Sequence, residues 1–96
     1  MPLTPKQKQT LKAQAHALHP IVLIGNNGFT DNVKKEIETG LEAHELIKIR
    51  MQQTDRESRK ETFKMICDTV HAEAIQLVGK VGILYRESAR KNKVKK

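Results

Sequence analysis

The chain has 96 residues, enough for one compact domain and too few for two. It carries 18 lysines and arginines against 11 acidic residues, and the resulting net charge of +7 indicates an anionic partner such as a nucleic acid. The longest apolar run, residues 21–24, is far shorter than the ~20 residues that cross a bilayer, so we expect no membrane segment. Because the sequence has one cysteine and no leader pattern, we expect a cytoplasmic protein without disulfides.

A helix and a short strand are predicted at the start of the chain. Thr4 can cap the helix and Gln7 stands three residues later, the spacing of a capping box. Apolar residues repeat at helical spacing as far as Leu18, and Pro20 ends the segment. Residues 21–24 then form a fully apolar strand. The polar face of this first helix presents three basic side chains, Lys6, Lys8 and Lys12.

A glycine-bounded loop, Gly25-Asn26-Asn27-Gly28, follows this strand. A strand that turns through such a loop into a helix directs backbone N–H groups and the positive end of the helix dipole at one point, which suits a phosphate. Glycines and asparagines also tolerate left-handed backbone conformations. The same pattern fits an ordinary strand-to-helix turn. Lys34 and Lys35 favour the phosphate interpretation, because lysines near a helix N-terminus oppose the dipole unless an anion binds there.

The middle of the chain predicts a helix and a half-exposed strand. Thr30 can cap the second helix. Residues 46–53 alternate, with apolar side chains on one face and the basic Lys48 and Arg50 on the other. Burying these two charges without partners would cost several kcal/mol. We therefore expect this strand to lie at a sheet edge or to face an open side of the sheet.

The last third predicts a helix and a hairpin. Thr54 and Asp55 supply the cap of a third helix, whose apolar stripe includes Phe63 and Cys67. Residues 74–78 and 81–85 form two strands joined by a turn at Gly79 and Lys80. The expected order is α-β-α-β-α-β-β, a two-layer α+β or α/β fold with a four-stranded mixed sheet packed with helices. Residues 1–87 form the domain, and residues 88–96 form a basic, mobile tail.

Catalytic and metal-binding patterns are missing from the sequence. The glycine loop is not followed by Lys-Ser or Lys-Thr, and no dinucleotide fingerprint exists. The four histidines are scattered, with no cysteine or acid at ligand spacing beside His16 and His19. Cys67 lies in an apolar stripe and is interpreted as a core residue. We expect no enzyme activity, no cofactor and no metal.

Three stretches of the chain resemble the CRM domain, named for chloroplast RNA splicing and ribosome maturation. They are Leu-Ile-Gly-Asn-Asn-Gly-Phe-Thr at 23–30, His-Glu-Leu-Ile-Lys-Ile at 44–49 and Val-Gly-Lys-Val-Gly-Ile-Leu-Tyr-Arg at 78–86. The resemblance implies an RNA-binding domain with a fold similar to the C-terminal domain of bacterial translation initiation factor three. It also implies, from the family's single-domain YhbY-like members, an association with large ribosomal subunit precursors. Phe29 replaces an expected aliphatic residue and is a hydrophobic staple or a stacking surface.

The sequence therefore predicts a monomeric RNA-binding protein whose partner is ribosomal RNA. Few aromatic residues are present, so contacts to phosphate and ribose of a structured RNA fit better than base stacking. The alternatives are a DNA-associated basic protein and an RNA-modifying enzyme. The predicted RNA-binding residues are Gly25, Asn26, Asn27, Gly28, Lys34, Lys35, Lys6, Lys8, Lys12, Lys48, Arg50, Lys80 and Arg86.

Overall fold

The computed structural model describes residues 3–25, 27–52 and 55–87. The elements are helix α1 (Pro5–Ala15), strand β1 (Val22–Ile24), helix α2 (Asp31–His44), strand β2 (Leu46–Met51), helix α3 (Arg56–Val70) and strands β3 (Glu73–Val78) and β4 (Val81–Tyr85). The predicted α-β-α-β-α-β-β order is confirmed. The predictions for Asn26, Thr54 and the tail at 88–96 lie outside the described residues.

The four strands form one mixed sheet in the order β1-β2-β4-β3. Strand β2 runs parallel to β1 and antiparallel to β4, and β3 and β4 form an antiparallel hairpin. Strand β2 is therefore internal, so an edge position does not explain Lys48 and Arg50. Their side chains must instead face an open part of the sheet.

Side-chain caps determine where the three helices begin. The Thr4 N–H donates to Gln7 Oε1 at 2.9 Å and the Gln7 N–H donates to Thr4 Oγ1 at 3.1 Å, which completes the predicted capping box. Thr30 accepts from the third residue of α2 at 3.3 Å. Asp55 accepts from the Ser58 N–H at 3.0 Å. Hydrogen bonds from the Ser58 hydroxyl and backbone lower the pKa of Asp55, which keeps this cap ionised.

Helix α1 ends earlier than its apolar pattern predicts. Its last helical residue is Ala15, and the N–H groups of Ala17 and Leu18 donate three residues back, to Gln14 and Ala15. Such bonds tighten the end of a helix. The residue before Pro20 disfavours helical dihedral angles. Leu18 therefore lies beyond the helix with its side chain exposed.

The main core lies between the sheet and the pair α2 and α3. Phe29 packs against this core, which favours an apolar packing role over a stacking surface. Phe63 and Cys67 belong to the core itself, as predicted. The buried members are Val22, Ile24, Ile37, Leu41, Ile47, Ile49, Met51, Phe63, Ile66, Cys67, Val70 and Leu84.

Helix α1 packs on the opposite face of the sheet and adds a third layer there. Ala15 is buried against Leu46, Ile75 and Ile83 in a second, smaller cluster. Leu46 alternates with Ile47 of the main core, so the two clusters lie on opposite faces. One short helix covers only part of this face, and Arg50 on the remaining part is exposed. This explains how β2 carries outward basic residues.

Candidate nucleic-acid interface

Several chain segments meet at the end of the sheet where β1 and β2 stop. The Gln52 N–H donates to the Ile24 carbonyl at 2.9 Å, and the Met51 N–H donates to the Lys80 carbonyl at 2.7 Å. These bonds hold the end of β1, where the glycine loop begins, and the turn at 79–80 against the end of β2. Helices α2 and α3 begin at this same end, because each follows one of the two parallel strands. We call this region the loop end; ligands commonly bind at such carboxyl ends of strands.

The glycine loop is a closed turn. The Gly28 N–H donates to the Gly25 carbonyl at 3.0 Å. Gly28 has a φ of 77°, a left-handed conformation that glycine adopts without a steric cost. Asn27 is exposed and Asn26 lies outside the described residues. Because the turn itself uses the Gly28 N–H, a phosphate at the loop end must be held by other donors.

The start of α2 supplies such donors next to the loop. The Val33 N–H bonds to the Thr30 side chain, whereas the N–H groups of Asp31 and Asn32 have no partner within the helix. Asp31 lies in the first turn, where its carboxylate opposes a bound anion. Lys34 and Lys35 are exposed in the following turn and offset that charge. The predicted contribution of both lysines to one anionic site is therefore compatible with the geometry.

The predicted basic residues of the sheet lie beside the loop. Arg50 pairs in register with Leu23 of β1 and with Val81 of β4. Lys80 lies in the β3–β4 turn and is exposed, while Lys48 is half-buried near the end of α1. Arg50 and Lys80 therefore belong to the loop end, and Lys48 connects it to α1.

The three lysines of α1 lie on the second face of the sheet, away from the loop. Lys8 and Lys12 are half-buried because they flank Leu11 and Ala15, which pack against the sheet. Long lysine side chains can cover apolar surface and still place their charge in water. Lys6 is exposed on another side of the helix. These residues extend the positive surface beyond the loop end.

Three further basic residues at the loop end were not predicted as part of the site. Arg56, Arg59 and Lys60 line a hollow with Leu77 and Gly79. The Arg59 Nε donates to the Gly79 carbonyl at 3.0 Å, which ties α3 to the hairpin turn. The net positive charge of residues 46–60 was the available signal in the sequence. The folding of α3 back onto the turn, which brings these charges to the loop end, is a tertiary contact.

Arg86 is another predicted site residue that the structure places away from the loop end. It follows β4 at the end of the sheet opposite the loop. Its Nη1 donates to Glu38 Oε1 at 2.6 Å and to the Val70 carbonyl at 2.7 Å, and its Nη2 donates to Glu42 Oε2 at 3.0 Å. The guanidinium is thus occupied by α2 and by the carbonyl end of α3. Arg86 is thus a structural tie between the end of β4 and the two helices, and its RNA contact stays a prediction.

Cys67 gives a prediction about reactivity. Burial, with smaller contributions from the charges of Asp68 and Glu73, raises the pKa of the thiol to about 12. The thiolate is the reactive form, so we expect iodoacetamide to label the folded protein very slowly at pH 8 and the urea-unfolded protein rapidly, as followed by mass spectrometry. Equal rates would contradict the burial.

The raised pKa of the Cys67 thiol also makes the stability of the fold depend on pH. Its contribution to the free energy of unfolding is complete below the ordinary pKa of 9.0 and declines above it.

Metal-ligating side chains do not cluster in the part of the chain that the structure describes. Within residues 3–25, 27–52 and 55–87, no three histidine, cysteine or acidic side chains come together as a metal site. In the same ranges, no helix combines the length and apolar character needed to cross a membrane. The loop end thus offers positive charge and backbone donors, which suit binding of a polyanion.

Comparisons with known proteins identify the family of the chain. The model of the CRS1/YhbY (CRM) domain matches residues 3–86. A protein of Haemophilus influenzae named "RNA-binding protein" is 43% identical over 86 residues, which cover 90% of this chain and 87% of that protein. "Probable RNA-binding protein YqeI" of Bacillus subtilis is 35% identical, with 96% of each chain covered. The solution structure of the hypothetical protein SAV1595 from Staphylococcus aureus has a TM-score of 0.81 and 37% identity, with 91% of each chain covered. The chain therefore belongs to the CRS1/YhbY (CRM) domain family.

Proposed function

We propose that this chain binds structured RNA through its loop end, as a monomer and without a catalytic step. The observation that carries the proposal is the convergence of the loop at 25–28, the first turns of α2 and the basic residues Arg50 and Lys80 at one end of the sheet. The first N–H groups of α2 and the two basic side chains attract phosphate, and the loop places the exposed Asn27 beside them. The relatives named for RNA binding cover nearly the whole chain, which supports RNA as the polyanion.

The charge distribution supports a single orientation on the RNA. The end of the sheet opposite the loop carries Glu45 before β2, Glu73 at the start of β3 and Glu87 after β4. These acidic residues offset Arg86 and the lysines of α1, which also lie towards that end, so the excess of positive charge that attracts phosphate is at the loop end. Binding should weaken steeply with salt, since each phosphate contact contributes a slope of about −0.7 to −0.9 in log K against log salt concentration.

We further propose that the target is ribosomal RNA during assembly of the large subunit. This part rests on the resemblance to the CRM-domain family, whose bacterial single-domain members associate with large-subunit precursors. Contacts to phosphate do not by themselves distinguish RNA from DNA, because only the 2′-hydroxyl differs at the backbone. Competition between a structured RNA fragment and duplex DNA of equal length tests the choice; stronger binding to the DNA would contradict an RNA function.

A double substitution tests the loop. Replacing Asn26 and Asn27 with aspartate places two negative charges beside the expected phosphate. We expect the affinity for a structured RNA to fall about tenfold or more, equivalent to at least ~1.4 kcal/mol. Fluorescence anisotropy at moderate salt measures the affinity, and circular dichroism should show a nearly unchanged thermal midpoint.

The matched control adds the same charge far from the loop. Thr39 and Thr69 are exposed on α2 and α3, and replacing both with glutamate changes the net charge equally. If long-range repulsion alone acts, the affinity for RNA falls to the same extent in both double variants. That result would mean that the loop is only a turn between β1 and α2 and does not contact RNA. A loss confined to the loop variant supports a direct contact.

A further inference from the structure

One half of a sheet face is left uncovered by α1 and carries a transverse row of side chains. In register, Leu23 pairs with Arg50, Arg50 pairs with Val81, and Val81 pairs with Val78. These four residues form a single line across all four strands. Directly opposite residues in a sheet project from the same face. We call this line the open row.

The open row combines exposed aliphatic side chains with an arginine. Leu23 is 54% exposed and Val78 is 59% exposed, while Arg50 is exposed between them and Val81 is half-buried. Removing exposed aliphatic surface from water is favourable by roughly 25 cal/mol per Å². The guanidinium of arginine is planar and weakly hydrated, and it stacks on aromatic rings. The row thus presents a flat, partly apolar surface with a positive charge at its middle.

The row lies beside the loop end. Leu23 precedes Gly25 by two residues, roughly 6.6 Å along an extended strand. Arg50 precedes Gln52 by two residues, and a Cβ atom added at Gly25 would lie 3.9 Å from Gln52 Oε1. A phosphate near the loop therefore leaves the bases of the same RNA segment within reach of Leu23 and Arg50.

We propose that the open row seats one unpaired nucleobase, stacked on the Arg50 guanidinium and flanked by Leu23 and Val81. This inference rests on the proposed function and adds a class of substrate to it, namely structured RNA with an unpaired nucleotide near the bound phosphate. A base inside a duplex has both faces covered by its neighbours and cannot stack there. The positive charge of Arg50 and of nearby Lys48 and Lys80 favours a nucleotide over an uncharged apolar partner.

A charge-conserving substitution tests the stacking. Arg50→Lys retains the positive charge and removes the planar group. We expect the affinity for an oligoadenylate containing 2-aminopurine to fall roughly 5- to 100-fold, the loss typical of one stacked base, and the binding-induced change in 2-aminopurine fluorescence to disappear. The affinity for a fully paired RNA duplex should change less than twofold. Lys64→Arg, the reverse exchange at an exposed position of α3 outside the loop end, is the control and should leave both affinities unchanged.

A second pair of variants tests the apolar part of the row. Leu23→Ala should weaken binding of the single-stranded probe, whereas Met65→Ala, at a side chain that is 49% exposed on α3, should not. Neither should lower the thermal midpoint appreciably, because about half of each residue's surface is already in water. Sedimentation of the protein alone checks whether Leu23 instead mediates self-association.

Three outcomes would overturn the proposal. They are an unchanged single-strand affinity in Arg50→Lys, an equal loss for single-stranded and paired RNA, and a dimer that dissociates in Leu23→Ala. The proposed function fails by a different result. Either the unmodified protein binds neither the single-stranded nor the paired RNA, or the variant with aspartate at positions 26 and 27 binds as well as the unmodified protein. The two failures are therefore distinguishable.

Discussion

Gly82→Ala is expected to lower the free energy of unfolding by about 1 to 3 kcal/mol, the usual cost of overpacking a core. An added Cβ atom would lie 2.6 Å from Cε1 and 2.8 Å from Cδ1 of Phe63, and 3.4 Å from Cγ1 of Ile49. The Phe63 ring is 5% exposed in the main core, so it cannot move into solvent. The added methyl group must displace either α3 or β4.

Gly40→Ala is the matched control, with the opposite expected result. Its Cβ atom would lie 2.7 Å from Cδ1 of Ile21, but that atom is the tip of a side chain that is 49% exposed and can rotate away. Gly40 also lies inside α2, where alanine favours the helix by up to ~1 kcal/mol. We therefore expect the thermal midpoint to stay the same or to rise.

Thermal and urea unfolding followed by circular dichroism measure both effects. For a domain of this size, each kcal/mol of lost stability lowers the midpoint by roughly 4–8 °C. Phe63→Leu removes the ring edge, so the cost of Gly82→Ala should be smaller in that background. Two results would contradict this explanation. They are a shift of the midpoint in the same direction in both alanine variants, and a loss of stability in Gly82→Ala that is the same with phenylalanine or leucine at position 63.

Short-range signals in the sequence predicted most of the elements. The helix starts at Thr4, Thr30 and Asp55 each depend on a contact three residues away, which a pattern in the sequence contains in full. The alternation in β2 likewise predicted that Arg50 faces outward. The cost of burying such charges without partners leaves two possibilities, a sheet edge or an open face, and the internal position of β2 selects the open face.

Contacts between distant segments account for what could not be predicted. Arg86 bonds to glutamates 48 and 44 residues earlier in the chain, and its position in a basic segment suggested a surface role instead. The placement of α1 on the second face depends on its contact with Leu46 and Ile83. Both residues are apolar, but the sequence does not indicate which helix covers them. The clustering of Arg56, Arg59 and Lys60 beside the hairpin turn depends on how α3 packs on β3 and β4.

Arg86→Met is expected to lower the free energy of unfolding by about 2 kcal/mol. Arg86 is 19% exposed and forms ion pairs with two glutamates, and hydrogen bonds to charged groups contribute roughly 1.5–3 kcal/mol. It also places a positive charge at the carbonyl end of α3, where the helix dipole favours it. The cost stays below that of a fully buried pair, ~3–5 kcal/mol, because water can hydrate Glu38 and Glu42 once the arginine is gone.

Arg50→Met separates this structural role from RNA binding, since it removes the same charge from an exposed position. We expect Arg50→Met to change stability by less than ~0.5 kcal/mol and to weaken RNA binding, while Arg86→Met loses stability and retains affinity at a temperature where it is fully folded. Urea unfolding and fluorescence anisotropy on both variants give the comparison. A loss of affinity in folded Arg86→Met would return Arg86 to the RNA surface. Glu38 and Glu42 make that outcome physically unfavourable, because their carboxylates already bind the guanidinium and repel a phosphate beside it.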